Sequence, residues 1–217
     1  MPSNASAPSR SRRWWLDPRT LLALPTVYRL RNALLSPRTH AIFVRDYMRV
    51  RPGDRILDVG CAAADMLADL PRDIDYVGFD ESETYVRAAQ ARFGHRATFH
   101  CFRADRRTLD SLGPASFDLV VAHGVVHHLD DAEAREFFAL ARGALKPDGR
   151  LVTADGCYVD GQSRVARFIL AHDRGAHVRT AQAYQRLARE QFSSITTNIR
   201  DDVTRVPYTM IYLTCRP

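Results

Sequence analysis

The stretch that decides the fold is Ile56-Leu57-Asp58-Val59-Gly60-Cys61-Ala62-Ala63-Ala64-Asp65. Its apolar first half predicts a buried strand over residues 55–59, and its small residues predict a turn that opens a helix over residues 62–70. A strand followed by such a turn presents the free N–H groups of a helix start at the carboxyl edge of a sheet, where α/β proteins bind ligands. We therefore expect a ligand beside residues 60–64.

A second element, Val77-Gly78-Phe79-Asp80, ends the next predicted strand, over residues 76–80. Asp80 stands 20 residues after Gly60, the separation at which a carboxylate in a nucleotide-binding fold reaches the ribose. A carboxylate suits that task because it accepts hydrogen bonds from both cis hydroxyls at once. The alternative is a domain of the same fold that binds nothing, and the two elements in register favour the ligand site.

Strands and helices alternate along the middle of the chain. The pattern predicts strands over residues 55–59, 76–80, 98–102, 117–122 and 150–154, and helices over residues 82–93, 130–145, 162–174 and 180–192. Two further strands, 195–199 and 208–214, follow each other closely, which is typical of an antiparallel pair. This alternation predicts an α/β fold, a three-layer sandwich around a mostly parallel sheet.

The 217 residues divide into three parts by composition and charge. Residues 1–13 are small, polar and basic, which predicts a disordered tail. Residues 14–51 predict a helical cap, and residues 52–217 form the main domain, whose segment 162–192 should lie on the substrate side. Residues 1–51 carry a net charge of +8 against −2 for the rest, so the basic character belongs to the N-terminal segment.

Composition excludes several classes of protein. The only lysine, Lys146, lies in a Lys-Pro-Asp-Gly turn, so neither a phosphate loop of Walker type nor a Schiff-base enzyme fits. No apolar run approaches the roughly 18 residues of a membrane span. Four scattered cysteines without a Cys-x-x-Cys pair argue against a zinc site and favour a reducing compartment, which predicts a cytoplasmic protein.

Four segments carry a family resemblance, namely ILDVGCAAADML, YVGFDES, FDLVVAHGVVHHLDD and ALKPDGRLV. Over residues 52–155 the chain resembles the class I S-adenosylmethionine-dependent methyltransferases, in particular the small-molecule enzymes grouped with the ubiquinone and menaquinone methyltransferases. The resemblance implies a Rossmann-like sheet of seven strands with an antiparallel closing strand. It also implies S-adenosylmethionine as cofactor and methyl transfer to O or N of a small molecule.

The resemblance further implies where the cofactor binds. Residues 60–64 would hold its methionine end, with Asp80 at the ribose, Asp105 at the adenine amino group and His123 beside the sulfonium. The full predicted set is Asp58, Gly60, Cys61, Ala62, Asp80, Glu81, Asp105 and His123.

The chain departs from the family pattern at Ala62 and Ala64, where glycine is usual. Alanine disfavours a positive φ and adds a Cβ where backbone approaches ligand. We expect three consecutive alanines to tolerate the cofactor. A cofactor-binding protein of the same fold, with a regulatory or non-methylating role, is the alternative function.

Two histidines are candidate catalytic residues. A neutral imidazole at His127 would accept a proton from a substrate hydroxyl or amine, and His123 is an equally placed rival. The other interpretation is that His127 and His128 only pack, because proximity and desolvation can drive methyl transfer from a sulfonium without a base. A metal site would need a third and a fourth ligand besides these histidines, and we predict no metal site.

The acceptor is predicted to be a small molecule and not a nucleic acid. Methyltransferases that modify bases carry Asn/Asp-Pro-Pro-aromatic where this chain has Ala122-His123-Gly124-Val125. Candidate substrate-binding residues are Tyr28, Tyr158, Arg164 and Arg179. Arginines near a cleft would suit an anionic acceptor, and the alternative is a solvated helix face in an arginine-rich chain. The sequence carries no signal for an oligomeric state.

Overall fold

The computed structural model describes residues 39–101, 112–173 and 175–217. The predicted tail and the predicted cap up to residue 38 lie outside these ranges, as do Tyr28 and Asp105. The division of the chain into tail, cap and domain therefore stays a prediction.

Eight strands form one sheet in the described part of the chain. They are β1 Arg55–Val59, β2 Asp75–Asp80, β3 Thr98–Cys101, β4 Phe117–His123, β5 Leu145–Tyr158, β6 Arg179–Thr180, β7 Ser194–Arg200 and β8 Met210–Arg216. Seven of them lie in the order β3-β2-β1-β4-β5-β8-β7, and the two-residue β6 pairs with the end of β5. Strands β1 to β5 run parallel, whereas β8 is antiparallel to both β5 and β7. The predicted sheet is confirmed, with β6 as an addition.

Helices cover both faces of this sheet. They are α1 Thr39–Ile42, which continues as a π-helical segment Phe43–Met48, α2 Glu83–Phe93, α3 Asp131–Ala144, α4 Arg164–Ala171 and α5 Ala181–Arg189. Apolar side chains of α3 and α5, such as Phe138 and Leu187, pack on one face, and those of α1 and α2, such as Ile42 and Ala89, pack on the other. The three-layer sandwich is confirmed. None of the helices in the described ranges is long and apolar enough to cross a membrane.

The helix starts follow from side chains that cap free backbone N–H groups. Oγ of Ser82 accepts from the Tyr85 N–H at the start of α2. At α3 the Asp130 carboxylate accepts from two N–H groups of the first turn, and Glu133 accepts in return from the Asp130 N–H. Such reciprocal capping stabilises a helix start by roughly 0.5–2 kcal/mol. Both predicted starts are confirmed.

The predicted helix over residues 62–70 is wrong in type and length. The structure has a turn there, followed by a short 3-10 helix, Asp65–Asp69. Ala62 and Ala64 have φ values of +47° and +53°, and helical residues need a negative φ. The helical segment therefore starts only after Ala64.

Strand β5 is longer than the predicted strand over residues 150–154. It starts at Leu145, the last residue of the predicted helix, and includes the predicted Lys-Pro-Asp-Gly turn. A register shift against β4 between Phe117 and Leu119 absorbs this irregular segment. At its other end it continues to Tyr158. This extension carries Asp155 to the carboxyl edge of the sheet.

The carboxyl edge at β1 and β4 is where the strand order changes direction, because β2 and β3 lie on one side and β5 on the other. Loops that leave neighbouring strands in opposite directions open a crevice, which is the usual ligand site of such sheets. The turn after β1 and the turn after β4 line this crevice.

Candidate active site

The turn after β1 is fixed at Gly60, which has a φ of +75°. A Cβ at this position would lie 2.5 Å from Cγ2 of Val125, in the loop after β4. The N–H groups of Gly60 and Cys61 both donate to the carbonyl of Phe79 on β2, at 2.8 and 2.9 Å. Only glycine combines this φ with this close approach, so the turn has a single defined position between β2 and β4.

The following alanines adopt a backbone conformation that suits glycine. Ala62 and Ala64 both lie in the left-handed region, which costs an L-residue roughly 1–2 kcal/mol. The Ala62 N–H donates to Oδ2 of Asp80 at 2.9 Å, and the Ala64 N–H donates to the carbonyl of Cys61 at 2.8 Å. The turn thus keeps its shape despite the substituted glycines, at a cost in strain.

Asp80 ends β2 and faces the same turn. Its Oδ1 accepts from the Ser82 N–H at 2.8 Å, while Oδ2 accepts from the Ala62 N–H. Burial raises the pKa of Asp80 against these two hydrogen bonds. Each oxygen keeps a further lone pair, so the carboxylate can still accept from two hydroxyls of a ligand.

Asp58 is a fully buried carboxyl group on β1. The Tyr76 hydroxyl on β2 donates to its Oδ2, but its Oδ1 has no partner among the described residues. Burial raises the pKa of Asp58 to about 7, against the Tyr76 hydrogen bond, and the charge of Asp80 adds to the increase. A buried acceptor without a partner is costly, which makes this oxygen a place for a cationic or hydrogen-bonding group.

His123 ends β4 at the crevice and packs among aromatic rings. Its ring centre lies 5.0 Å from that of His40 on α1 and 5.0 Å from that of Phe43. Burial lowers the pKa of His123 to about 3, and its Nε2 is buried without a partner among the described residues. The ring is therefore neutral at neutral pH and carries a free polar atom beside the predicted cofactor site.

His127 lies in the 3-10 turn after β4 and contacts Asp155 on β5. Oδ1 of Asp155 lies 2.8 Å from Nδ1 of His127 and also accepts from the His127 backbone N–H at 3.1 Å. Burial opposes protonation of His127, but the hydrogen bond and charge of Asp155 outweigh it, so its pKa is raised. A carboxylate that orients an imidazole in this way leaves the second ring nitrogen able to accept a proton.

Arg179 has a different role from the substrate binding that the sequence suggests. Its buried guanidinium donates five hydrogen bonds, to the Asp131 carboxylate and to the carbonyls of Val126, Leu129 and His177. Every N–H of the side chain is used. In this structure Arg179 therefore holds the turn after β4 and has no donor left for an acceptor molecule.

The structure gives positions, but no assigned role, for three further predicted site residues. Tyr158 ends β5, and the guanidinium of Arg167 lies over its ring, 5.5 Å from the ring centre. Arg164 is exposed at the start of α4, and Glu81 is exposed directly after Asp80. Their roles stay predictions.

Two residues of the site, Asp155 and Tyr76, are missing from the sequence-based predictions. Asp155 directly follows the predicted strand over residues 150–154, and a carboxylate at the carboxyl end of a strand is a usable signal for a ligand edge. Tyr76 gives no such signal, because only the register of β1 against β2 brings it to Asp58.

Several known proteins that are similar to this chain are methyltransferases. A family model described as a methyltransferase domain matches residues 57–151. An uncharacterized methyltransferase of Mycobacterium tuberculosis strain H37Rv is 37% identical over 102 residues, which is 46% of each chain. Phosphoethanolamine N-methyltransferase 3 of Arabidopsis thaliana is 26% identical over 165 residues, which is 72% of this chain and 32% of the plant protein. The chain thus spans less than half the length of these relatives.

Solved structures show the same fold. A geranyl diphosphate methyltransferase in complex with S-adenosylmethionine has a TM-score of 0.65 at 16% identity, over 93% of this chain and 92% of that one. Phosphoethanolamine N-methyltransferase 2 of Haemonchus contortus, in complex with S-adenosylmethionine, has a TM-score of 0.68 at 13% identity, over 94% of this chain and 58% of that one.

The family match begins in β1 and extends into β5. It therefore includes the turn at Gly60, the carboxylate of Asp80 and the turn that carries His127, which the structure brings to one edge of the sheet. Residues 57–151 thus match a methyltransferase domain, and the fold and the site geometry agree with a class I S-adenosylmethionine-dependent methyltransferase.

Proposed function

We propose that the protein transfers a methyl group from S-adenosylmethionine to an oxygen or nitrogen atom of a small-molecule acceptor. The observation that carries this proposal is the cradle at the carboxyl ends of β1 and β2, formed by the Gly60 turn, Asp58 and Asp80. Its chemistry matches a ligand with two neighbouring hydroxyls and a cationic amino group.

The two carboxylates fit different parts of this cofactor. Asp80 suits the ribose, because each oxygen accepts one backbone N–H and keeps a lone pair for a hydroxyl. Asp58 suits the amino group, because its Oδ1 is buried without a partner among the described residues. A cation beside Asp58 would favour its ionised form and offset the cost of burial. Cys61 and Ala62 would line the space between the two carboxylates.

The chain would assist the reaction by excluding water and by placing an uncharged side chain beside the sulfonium. When bound, S-adenosylmethionine supplies a methyl group on a positively charged sulfur. His123 would border that group and, because its pKa is about 3, stays uncharged at neutral pH. A neutral ring adds no repulsion next to a cation, whereas an imidazolium would. His127 is the candidate base for the acceptor proton.

We favour a small anionic acceptor. Arg164 and Arg167 are exposed on α4, and the guanidinium of Arg167 lies over the ring of Tyr158 at the end of β5. Arginine binds carboxylate and phosphate groups well. Phosphoethanolamine and geranyl diphosphate, named for two similar methyltransferases, both carry phosphate groups. Tyr28 in the N-terminal segment would contribute to the cover of this pocket.

We also propose that the protein acts in a reducing, cytoplasmic environment. All four cysteines are free thiols, and three of them are buried. Disulfide bonds are usual in small oxidised proteins and rare in the cytosol.

Titration calorimetry with S-adenosylmethionine and S-adenosylhomocysteine tests the cradle. In Asp80→Ala we expect the affinity to fall roughly 10- to 150-fold, because a hydrogen bond to a charged group contributes about 1.5–3 kcal/mol. Asp75→Ala is the matched control, since Asp75 starts the same strand and pairs with Arg55 at the opposite edge. Unchanged affinity in a folded Asp80→Ala protein would overturn the ribose assignment.

Labelled S-adenosylmethionine tests the reaction itself. We expect label to appear in alcohols, phenols or amines that carry a phosphate or carboxylate, more than in their uncharged analogues. If the uncharged analogues are methylated more readily, the acceptor is not anionic, but the protein is still a methyltransferase.

The positive φ values of Ala62 and Ala64 favour one alternative, a cofactor-binding protein with a regulatory role. Strain in the turn could weaken the cofactor relative to its demethylated product. Binding of both compounds without transfer to any acceptor, and without gain of transfer in Ala62→Gly, would support this alternative.

A further inference from the structure

The contact between His127 and Asp155 lies outside the cofactor cradle and joins two strands of the sheet. We propose that Asp155 is a positioning residue that fixes His127 with the lone pair of Nε2 free, so that Nε2 takes the proton of the methyl acceptor. This inference rests on the proposed methyltransferase function and adds to it the group that removes the proton and the residue that orients it.

The hydrogen-bond pattern defines which ring nitrogen is free. Oδ1 of Asp155 lies 2.8 Å from Nδ1 of His127 and also binds the His127 backbone N–H. An ionised carboxylate only accepts hydrogen bonds, so Nδ1 must carry the proton. In the neutral ring Nε2 then holds the lone pair, which is the arrangement that a general base needs.

Close packing keeps the ring in this orientation. A Cβ on Gly175 would lie 1.9 Å from Cδ2 of His127, so the backbone at Gly175 covers one side of the ring. The His177 N–H donates to the His127 carbonyl at 2.9 Å. Arg179 donates to the carbonyl of Val126, directly before His127, at 3.0 Å. These contacts leave little room for the imidazole to rotate.

Both side chains are buried, and the carboxylate is the more enclosed of the two. The side chain of Asp155 is 1% exposed, against 8% for that of His127. Val125, two residues before His127, is the side chain that packs on Gly60 of the cofactor turn. His127 therefore stands close to the cofactor crevice, and Asp155 acts from behind it.

The charges around His127 come from several elements. Asp155 on β5 and Asp173 after α4 favour the protonated ring, whereas Arg179 on β6 disfavours it. His123 at the end of β4 also faces His127, but it stays neutral because its pKa is about 3. Within the described residues, the structure joins Asp155 to His127 by a side-chain hydrogen bond of 2.8 Å. We therefore attribute the orientation of the ring to Asp155.

The proton that the acceptor loses is taken up by the ring of His127. The O–H or N–H bond of the acceptor breaks, and its electron pair stays on the acceptor atom, which bonds to the methyl group. The bond between that methyl group and the sulfur of the cofactor would break at the same time, with its electron pair left on the sulfur. The proton forms a bond with Nε2, and the resulting imidazolium is stabilised by Asp155. Water takes the proton when the product leaves.

Nitrogen-15 NMR of the histidine rings tests the arrangement without any acceptor. In wild-type protein we expect neutral His127 to carry its proton on Nδ1, with His127→Gln used to assign its signals. In Asp155→Asn the pKa of His127 should fall and this tautomer preference should be lost, because an amide is uncharged and can donate to Nδ1. Proton on Nε2 in the wild-type protein would overturn the proposal even if Asp155→Asn fails to fold.

Asp173→Asn is the matched control. Asp173 also faces His127 with its charge, but its carboxylate accepts from the Tyr208 hydroxyl at 2.7 Å. The pKa of His127 should fall less than in Asp155→Asn, with the tautomer kept. Equal shifts and tautomers in both variants would show that Asp155 acts only as a distant charge, which overturns the positioning role.

Activity provides a second, separate readout once an acceptor is known. In Asp155→Asn turnover should fall towards that of His127→Gln, roughly 10²–10⁴-fold, with cofactor affinity kept. Normal turnover together with the expected NMR result would reject His127 as base and leave the methyltransferase function intact. Absence of methyl transfer in the wild-type protein would reject the proposed function. The NMR result would then still show whether Asp155 orients the ring of His127.

Discussion

Asp58 and Asp155 are buried carboxylates at the carboxyl ends of two strands, and each has one oxygen without a partner among the described residues. Their other oxygens differ. The neutral Tyr76 hydroxyl donates to Asp58, whereas the imidazole of His127, which can become a cation, contacts Asp155. Asp58 therefore has no compensating charge in the free protein, as the rise of its pKa to about 7 indicates.

Under the proposed function, this difference separates a binding half of the site, around Asp58, from a reaction half, around Asp155 and His127. On the β1 side the carboxylate stays uncompensated, which suits a ligand that brings its own positive charge. On the β5 side the partner is supplied by the chain, so the carboxylate can orient a group that handles protons. The predictions below test whether the two halves are separable.

The largest effect is expected at His127. We expect His127→Gln to lower turnover roughly 10²–10⁴-fold while affinity for S-adenosylmethionine stays within a few fold, since His127 lies on the reaction half. Wild-type turnover should fall as the pH drops through the pKa of His127, which is raised above 6.5, because the protonated ring cannot accept a proton. Steady-state kinetics against pH, together with calorimetry, measure both quantities.

The neighbouring histidine provides the control for this experiment. The ring of His128 is tilted by 36° against that of His127, with 4.3 Å between ring centres, and His128 is exposed. His128→Gln should keep most of the turnover and the pH profile. A rate independent of pH in the wild-type protein, or a large loss in His128→Gln alone, would reject His127 as base.

An intermediate effect is expected at Asp58, with opposite signs for stability and binding. Its folded pKa of about 7 lies above the ordinary 3.8, so stability that is present in acid is lost as the pH rises through this interval. Asp58→Asn removes this loss. Above pH 7, denaturant unfolding should therefore show a free energy of unfolding that is higher than in wild type by up to about 4 kcal/mol, because one pKa unit corresponds to about 1.4 kcal/mol. Cofactor affinity should fall because the negative charge is gone.

The pH dependence distinguishes this explanation from a general packing effect. The difference in unfolding free energy between Asp58→Asn and wild type should shrink as the pH falls below 7. A difference that is independent of pH would show that the carboxyl is not the source. If Asp58→Asn binds the cofactor as tightly as wild type, Asp58 does not contribute to the binding half.

The smallest effect is expected in the alanine turn. Ala62→Gly and Ala64→Gly should each stabilise the protein by up to about 1 kcal/mol, because relief of the left-handed strain exceeds the entropy that glycine loses on folding. Ala63→Gly is the control, since Ala63 is not among the residues with positive φ, and it should cost roughly 0.5–1 kcal/mol. Thermal unfolding measures the stability of all three variants. If Ala63→Gly changes the stability in the same direction as Ala62→Gly and Ala64→Gly, the positive φ values do not explain the effect.

Much of the binding half could be predicted because its signals are local. The strand, the turn at Gly60 and the carboxylate at Asp80 follow one another along 25 residues of the first βαβ unit, Ile56 to Asp80. The effect of Ala62 and Ala64 on the helix start was not predicted, because three alanines are strong helix formers when no φ constraint is known. In the structure, hydrogen bonds from the N–H groups of Gly60, Cys61 and Ala62 to β2 hold the turn instead.

Sequence alone determined the α/β class, the helix caps at Ser82 and Asp130, and the carboxylate at the end of β2, since periodicity, capping and strand ends are local properties. Only the tertiary structure decided the partners of the buried groups. Asp155 and His127 are 28 residues apart and meet through the pairing of β4 with β5, and Tyr76 reaches Asp58 through the register of β1 and β2. Arg179 likewise looks like a surface cation in the sequence and becomes a buried donor because the turn after β4 folds around it. Such contacts depend on register and packing over the whole sheet, which no local pattern encodes.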